Sequence, residues 1–349
     1  MNPDRIRFGV LGAGRIGKIH AANLAGAIHG AELAALSDVD PAALSAVAAQ
    51  CRVERTFADY RRVLELPDID AVAICAPTNQ HAPMILEAAA AGKAIFCEKP
   101  IDLSLEKILR VERAIQEHGV PFMVAFNRRF DPNFLAVWEA VRAGKVGEPH
   151  LLRITSRDPA PPPENYVRAS GGIFLDMTIH DFDMARYLIG SEVTEIYARA
   201  DVRVDPLFER AGDWDTALVT LTFANRVLGA IDNSRKAVYG YDQRVEVFGS
   251  EGMMTVRNNT VDNHIYCDRA GSHSAPPLNF FMERYAESYR KEMQAFVDSI
   301  RKGQESPVNA RDGLMAVVLG LAAAQSVRED RPVQIAEFYE RNVAQCQPG

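Results

Sequence analysis

The sequence predicts two domains: an α/β domain with a parallel, doubly wound sheet over residues 1–126, then an α+β domain with a largely antiparallel sheet over residues 127–349. Three observations carry this prediction. Short apolar runs alternate with helix-length segments through the first third of the chain. A glycine-rich turn, Gly12-Ala13-Gly14-Arg15-Ile16-Gly17, follows directly on the first of those runs. Beyond about Phe126 the apolar runs lengthen, alternate in part with a period of two, and succeed one another across short turns.

In the first domain, residues 6–11 read as a short buried strand and 16–28 as a helix. A second strand covers 31–37, and Pro41 opens the next helix at a first-turn position that suits proline. Further strands fit 71–75 and 94–97, and helices fit 83–91 and 103–118. Right-handed crossovers between such strands build a parallel sheet. In the second domain, strands fit 197–204, 217–223, 227–234 and 244–248, with Ala224-Asn225-Arg226 as one tight connection. Residues 284–301 and 312–327 read as closing helices, and the proline-rich stretch Pro159 to Pro163 as a stiff loop.

A chain of 349 residues exceeds one ordinary core. Its 48% hydrophobic and 24% charged residues have the balance of a globular protein. A net charge of -7 without a basic stripe argues against nucleic acid as a partner. Cys51, Cys75, Cys97, Cys267 and Cys346 include no C-x-x-C pair, which argues against a zinc site or a disulfide framework. No segment offers 18 uninterrupted apolar residues, and Met1 to Arg5 leads into a strand without a signal-like apolar region. The expectation is a cytoplasmic protein with no membrane partner.

The glycine turn carries a mechanism. Gly12 permits a tight turn, Gly14 lets the backbone approach a pyrophosphate, and Gly17 lets helix and strand pack closely. The helix start at Arg15 and Ile16 then offers free amides and a positive dipole end to phosphates. Asp38, about 20 residues on, stands where an acid hydrogen-bonds the adenosine ribose and repels a 2′-phosphate, so NAD is expected rather than NADP. The alternative is a turn that binds nothing, or binds S-adenosylmethionine. Ala76-Pro77-Thr78-Asn79 follows another strand and is a second cofactor-contact candidate, whereas neighbouring His81 reads as a helix-start residue without a part in the chemistry.

Glu98-Lys99-Pro100 also follows a strand, at the same sheet edge. Its lysine either donates toward a substrate oxygen or is a surface lysine in a turn. Downstream, Gly171-Gly172 precedes a segment that reads as helical from about Asp176, which places Asp176 and His180 one turn apart on one face with Asp183 close behind. Apolar Ile179, Phe182 and Met184 imply a buried helix, and buried titratable groups often mark functional sites. Two other readings stand beside it: a helix-start aspartate with a satisfied histidine, and a metal site of Asp176, His180 and Asp183.

Phe96-Cys97-Glu98-Lys99-Pro100 together with Asp176-x-x-x-His180 resembles the glucose–fructose oxidoreductase/inositol dehydrogenase family. Phe126 to Asp131, Thr155 to Pro159 and Val238-Tyr239-Gly240-Tyr241-Asp242 look like its bacterial inositol 2-dehydrogenase branch. The resemblance implies a Rossmann domain followed by a domain with a large, mostly antiparallel open sheet, packed into homotetramers. It implies no metal, and places Glu98 and Lys99 by the cofactor. Lys99, Asp176 and His180 fall in the catalytic centre, with Arg128, Asp158, Tyr239 and Tyr241 near the substrate and Tyr166 in the adjoining loop. Arg128 and Asp158 could instead form a surface ion pair, and the tyrosines could be sheet packing.

The activity this implies is NAD-dependent oxidation of myo-inositol to 2-keto-myo-inositol (scyllo-inosose) in inositol catabolism. His180 would take the hydroxyl proton, Lys99 would orient the oxygen, and Asp176 would hold Lys99, the substrate or both. Oxidation of scyllo-inositol, chiro-inositol or a pyranose is the nearest alternative. A dinucleotide-binding regulator without turnover is the alternative from another class.

Overall fold

The computed structural model describes residues 5–344, so Cys346 lies outside the described residues. The chain divides into two compact units. The first comprises residues 5–130 and Glu287–Met315; the second comprises Asp131–Ala286 and residues 316–344. The expected cut at 126/127 therefore misassigns Glu287–Met315. Aromatic packing is the reason: Phe296 stands 6.2 Å from the ring of Phe8 and 5.8 Å from that of Phe96.

The first unit holds strands β1 (Ile6–Leu11), β2 (Ala31–Ser37), β3 (Thr56–Phe57), β4 (Ala71–Ile74), β5 (Ala94–Glu98) and β6 (Phe122–Ala125). They form one parallel sheet in the order β3-β2-β1-β4-β5-β6. β1, β2, β4 and β5 match the expected positions closely; β3 and β6, only two and four residues long, have no expected counterpart. Because all six strands run the same way, the segments leaving their carboxyl ends emerge along one edge. Asp40 caps the Pro41–Cys51 helix, accepting from the amide of Ala42 at 2.9 Å. The helix expected to open at Pro83 begins earlier, over Thr78–Ala90, with Pro83 inside it. Pro83 lacks an amide hydrogen, but so near the start of the helix only one bond is lost.

The second unit holds β7 (Pro149–Arg157), β8 (Val193–Asp201), β9 (Thr216–Phe223), β10 (Leu228–Ser234), β11 (Asp242–Gly249), β12 (Met253–Val256), a separate hairpin of β13 (Ile265–Asp268) and β14 (Gly271–Ser274), and β15 (Val333–Gln334). Its seven-stranded sheet runs β12-β11-β7-β10-β9-β8-β15. Every pairing is antiparallel except β7 with β10. One face carries buried Leu152, Ile154, Val219, Leu221, Ile231 and Val247. On the other, Met253, Phe248, Leu151 and Leu228 stand opposite one another across four adjacent strands, each at least a third exposed.

Two expected elements shift for local reasons. The strand expected at 197–204 runs instead over Val193–Asp201. Asp215 turns the chain there by accepting from the amides of Arg203, Val204 and Asp205. The helix expected at 284–301 is broken at Tyr285, between Phe281–Arg284 and Ala286–Lys302. Among the described residues, Ala310–Glu329 is the one helix long and apolar enough to cross a membrane, and 67% of its apolar window is buried in the protein, as in a core helix.

Candidate active site

In the first unit, the glycine turn has the geometry of a cradle. Gly12 adopts φ +107°, and a Cβ there would lie 2.6 Å from the carbonyl oxygen of Cys75. A Cβ on Gly17 would stand 1.9 Å from the carbonyl oxygen of Gly12, so helix and turn meet only because the side chain is absent. A Cβ on Gly14 would meet nothing within 4 Å, which leaves the turn open to a close-approaching ligand. The Arg15–Gly26 helix starts at this point with no side-chain cap over its first amides.

Asp38 leaves β2 beside the cradle. It accepts from the amide of Ala13 at 2.5 Å and from that of Asp40 at 2.8 Å. Ala76 and Pro77 follow β4, Thr78 and Asn79 form the first turn of the next helix, and Glu98 and Lys99 leave β5. The expected cofactor residues thus share one sheet edge. An open glycine cradle, uncapped amides and an adjacent carboxylate fit a dinucleotide carrying a free ribose diol. His81 ties two of these segments together: Nδ1 lies 2.7 Å from the carbonyl oxygen of Pro100 and Nε2 lies 2.8 Å from that of Ala76.

In the second unit, the single helix expected from Asp176 is two. Ile173–Asp176 ends at Asp176, Met177 breaks the run, and His180 lies in Thr178–Ile189. Polar bonding accounts for the break. Thr178 Oγ1 donates to Asn233 Oδ1 at 2.6 Å, while Asn233 Nδ2 and Ser156 Oγ donate to the two oxygens of Asp181 at 2.8 and 2.6 Å. These bonds pin the second helix to β7 and β10.

Asp176 is held on both oxygens. Tyr166 donates its hydroxyl to Oδ1 at 2.7 Å, and Arg235 donates to Oδ2 at 2.9 Å. Arg235 also donates to Asp158 Oδ2 at 3.2 Å. Asp158, Tyr166 and Asp176 therefore form one cluster around the Arg235 side chain, which is 4% exposed. Burial and the Asp176 charge push the Tyr166 hydroxyl well above the usual phenol range. Its bond to Asp176 makes Tyr166, expected in the adjoining loop, a support for that carboxylate. Arg235 had no place among the expected site residues. A charge directly after a strand was its only signal, and surface arginines share it.

The remaining candidates come from other segments of the chain. Tyr239 donates to Asp242 Oδ2 at 2.7 Å and accepts from Arg157 at 3.1 Å. Tyr241 is buried edge-on against Tyr285, with ring centroids 6.0 Å apart. Arg128 belongs to the first unit, in the short 3-10 helix Asn127–Phe130, and its burial removes the surface-ion-pair alternative. Among the described residues, the group with metal-ligand spacing is His20, Glu98 and Glu292, and Asp176, His180 and Asp183 form no such group.

Asp213 is a further buried acid that sequence reasoning missed. Oδ1 accepts from the amide of Ile173 at 3.0 Å, Oδ2 has no hydrogen-bond partner, and burial raises its carboxyl above the usual range. Gly172, at φ +83°, makes room for it: a Cβ there would lie 2.7 Å from Asp213 Oδ1. A recess of about 620 Å³ lined by Arg203, Glu209, Asp213 and Trp214 holds none of the expected residues.

Residues 6–126 match the family described as "Oxidoreductase family, NAD-binding Rossmann fold", and residues 134–255 match the GFO/IDH/MocA C-terminal domain. The chain is 48% identical over 332 residues to a myo-inositol 2-dehydrogenase of Thermotoga maritima, spanning 95% of this chain and 99% of that protein. It is 46% identical to an inositol 2-dehydrogenase of Rhizobium meliloti over the same shares. A crystal structure of scyllo-inositol dehydrogenase from Lactobacillus casei with bound NAD(H) and scyllo-inositol superposes with a TM-score of 0.89 at 34% identity, covering 95% of this chain and 99% of that one. The chain belongs to the glucose–fructose oxidoreductase/inositol dehydrogenase (GFO/IDH/MocA) family of NAD-binding oxidoreductases.

Proposed function

We infer that this protein is an NAD-dependent inositol 2-dehydrogenase that oxidises myo-inositol to 2-keto-myo-inositol. The observation that carries this reading is 46–48% identity, over 95% of the chain, to two proteins named for that activity. The glycine cradle with Asp38 and the buried Asp158–Arg235–Asp176 cluster supply chemistry that suits it.

Removing hydride from a secondary carbinol requires a base for the hydroxyl proton. NAD, when bound, supplies the hydride acceptor. We assign the proton to His180. Lys99 donates a hydrogen bond to the reacting oxygen and stabilises its developing negative charge. Asp176, oriented by the bonds from Tyr166 and Arg235, is assigned to hold the substrate. Arg128, Asp158 and Tyr239 are assigned to the ring hydroxyls. Tyr241, packed on Tyr285, serves as a wall.

A panel of myo-, scyllo- and chiro-inositol and pyranoses, each with NAD and with NADP, tests the reading through nucleotide reduction. The highest kcat/KM is expected for myo-inositol with NAD. A higher value for scyllo-inositol, the ligand of the Lactobacillus casei structure, moves the reading to that isomer. Bound NAD without reduction across the panel makes the protein a regulator.

We further propose that it acts in the cytoplasm as a homotetramer, in inositol catabolism. The free thiols of Cys51, Cys75, Cys97 and Cys267 suit a reducing compartment. A ring ketone acidifies the neighbouring C–H bonds, which suits a first step of breakdown. The exposed stripe Met253–Phe248–Leu151–Leu228 is surface of the kind that assembly covers. Light scattering is expected to give a tetramer mass for the native protein and a smaller one for Phe248→Glu combined with Leu228→Glu. An unchanged mass in that variant removes the stripe from the assembly.

A further inference from the structure

The first unit contains a buried polar cluster that the proposed reaction does not use. His20 lies on the helix that follows the glycine cradle, Glu98 ends β5 next to Lys99, and Glu292 lies in Ala286–Lys302. His20 Nε2 is 2.8 Å from Glu98 Oε1 and 4.0 Å from Glu292 Oε1. Glu292 is fully buried, and neither of its oxygens has a hydrogen-bond partner. The rings of Phe96 and Tyr289 stand edge-on to His20 at 5.0 and 5.9 Å.

An ionised carboxylate without hydrogen bonds in such surroundings is strongly disfavoured. The titratable groups facing Glu292 are His20, Glu98 of β5 and Cys75 after β4, with Cys97 next to Cys75 and Glu98; Tyr289 lies on its own helix. Burial pushes both thiols up, so they stay uncharged, and Glu98 adds repulsion. Burial first, and the Glu98 charge second, push the Glu292 carboxyl well above the usual range.

We propose that Glu292 and His20 are positioning residues that hold Glu98, and with it Lys99, in place at the cofactor edge. Glu292 does this as a neutral acid. Its carboxyl fills the space behind Glu98 without adding a second charge, while His20 anchors the Glu98 carboxylate. When Glu292 loses its proton at alkaline pH, two carboxylates repel across a dry interior and Glu98 is displaced from His20. NAD affinity then falls on a single ionisation. The role assigned to Lys99 rests on the dehydrogenase reading above, but neither readout below requires polyol turnover, so the two can fail separately.

Two measurements on the purified full chain test the proposal. The wild-type infrared difference spectrum between neutral and alkaline pH is expected to show the carbonyl stretch of a protonated carboxyl that disappears on alkalisation. The dissociation constant for NAD, by calorimetry, is expected to rise from about pH 6 to about pH 9 in the wild type. In Glu292→Gln, which keeps the shape of the neutral acid, it should vary by less than about 3-fold over that range. His20→Ala should weaken NAD binding at every pH. A wild-type spectrum without the protonated-carboxyl band overturns the proposal even if the variants do not fold. So does an alkaline rise that persists in Glu292→Gln, or a stoichiometric metal ion in the purified protein, since these ligand atoms lie within 4.8 Å of one another and a metal requires the carboxylate ionised.

Discussion

Arg235 donates to Asp176 Oδ2 at 2.9 Å from a position almost wholly removed from water, and its other terminal nitrogen reaches Asp158 at 3.2 Å. One guanidinium thus fixes two carboxylates that arrive from different elements, Asp158 after β7 and Asp176 at a helix end.

Removing that guanidinium leaves two partly or fully buried carboxylates without their shared cation. Arg235→Met is expected to lower unfolding free energy by about 3–5 kcal/mol in a urea titration. Arg235→Lys restores the charge but not the fork, and is expected to recover part of the stability while kcat/KM stays about 10- to 100-fold down. Wild-type stability and kinetics in Arg235→Met would remove Arg235 from the site.

Lys99 and His180 are assigned to the reacting oxygen and its proton. Lys99→Ala and His180→Ala should each reduce turnover by about 10²-fold or more, with NAD affinity within a few-fold of wild type. Either variant turning over at the native rate would show that its residue has been misassigned.

Asp38 both orients the turn, through the amide of Ala13, and presents negative charge to the ribose. Asp38→Ser is expected to shift the ratio of NAD to NADP efficiency by about 10-fold or more toward NADP. An unchanged ratio would mean that another group reads the ribose.

The Asp213 carboxyl is raised chiefly by burial, so the folded state retains its proton to higher pH than the unfolded chain does. Its contribution to stability is therefore greatest below the unfolded value of about 4 and is lost as pH rises through the folded value. Asp213→Asn keeps the acceptor for Ile173 and cannot ionise. It should gain stability relative to wild type as pH rises from about 4 to about 7, read as a widening difference in Tm. A constant difference would show that Asp213 ionises alike in both states.

Much of the first unit was legible because its signals are local. The glycine turn, the cap at Asp40 and the apolar runs of β1, β2, β4 and β5 each declare themselves within a few residues. β3, of two residues, is too short to show a period, β6 has no expected counterpart, and Pro83 disguised the true start of its helix. Glu98, Lys99, Asp176 and His180 stood out through family motifs, while Arg235, Asp213 and Glu292 looked like any other charged residues. Their environments come from segments tens to hundreds of residues away: Arg235 meets Asp158 across 77 positions and Asp176 across 59.

By itself, then, the amino-acid order determined the period of the longer elements, the cofactor cradle and the residue types available for hydride chemistry. Only tertiary structure decided that residues 287–315 pack with the first unit, that Asp176 and His180 lie on two helices, and that Asp176 is clamped by Arg235. Propensity, turn chemistry and capping act over one or two turns of chain. Desolvation and ion pairing depend on what the folded chain brings alongside.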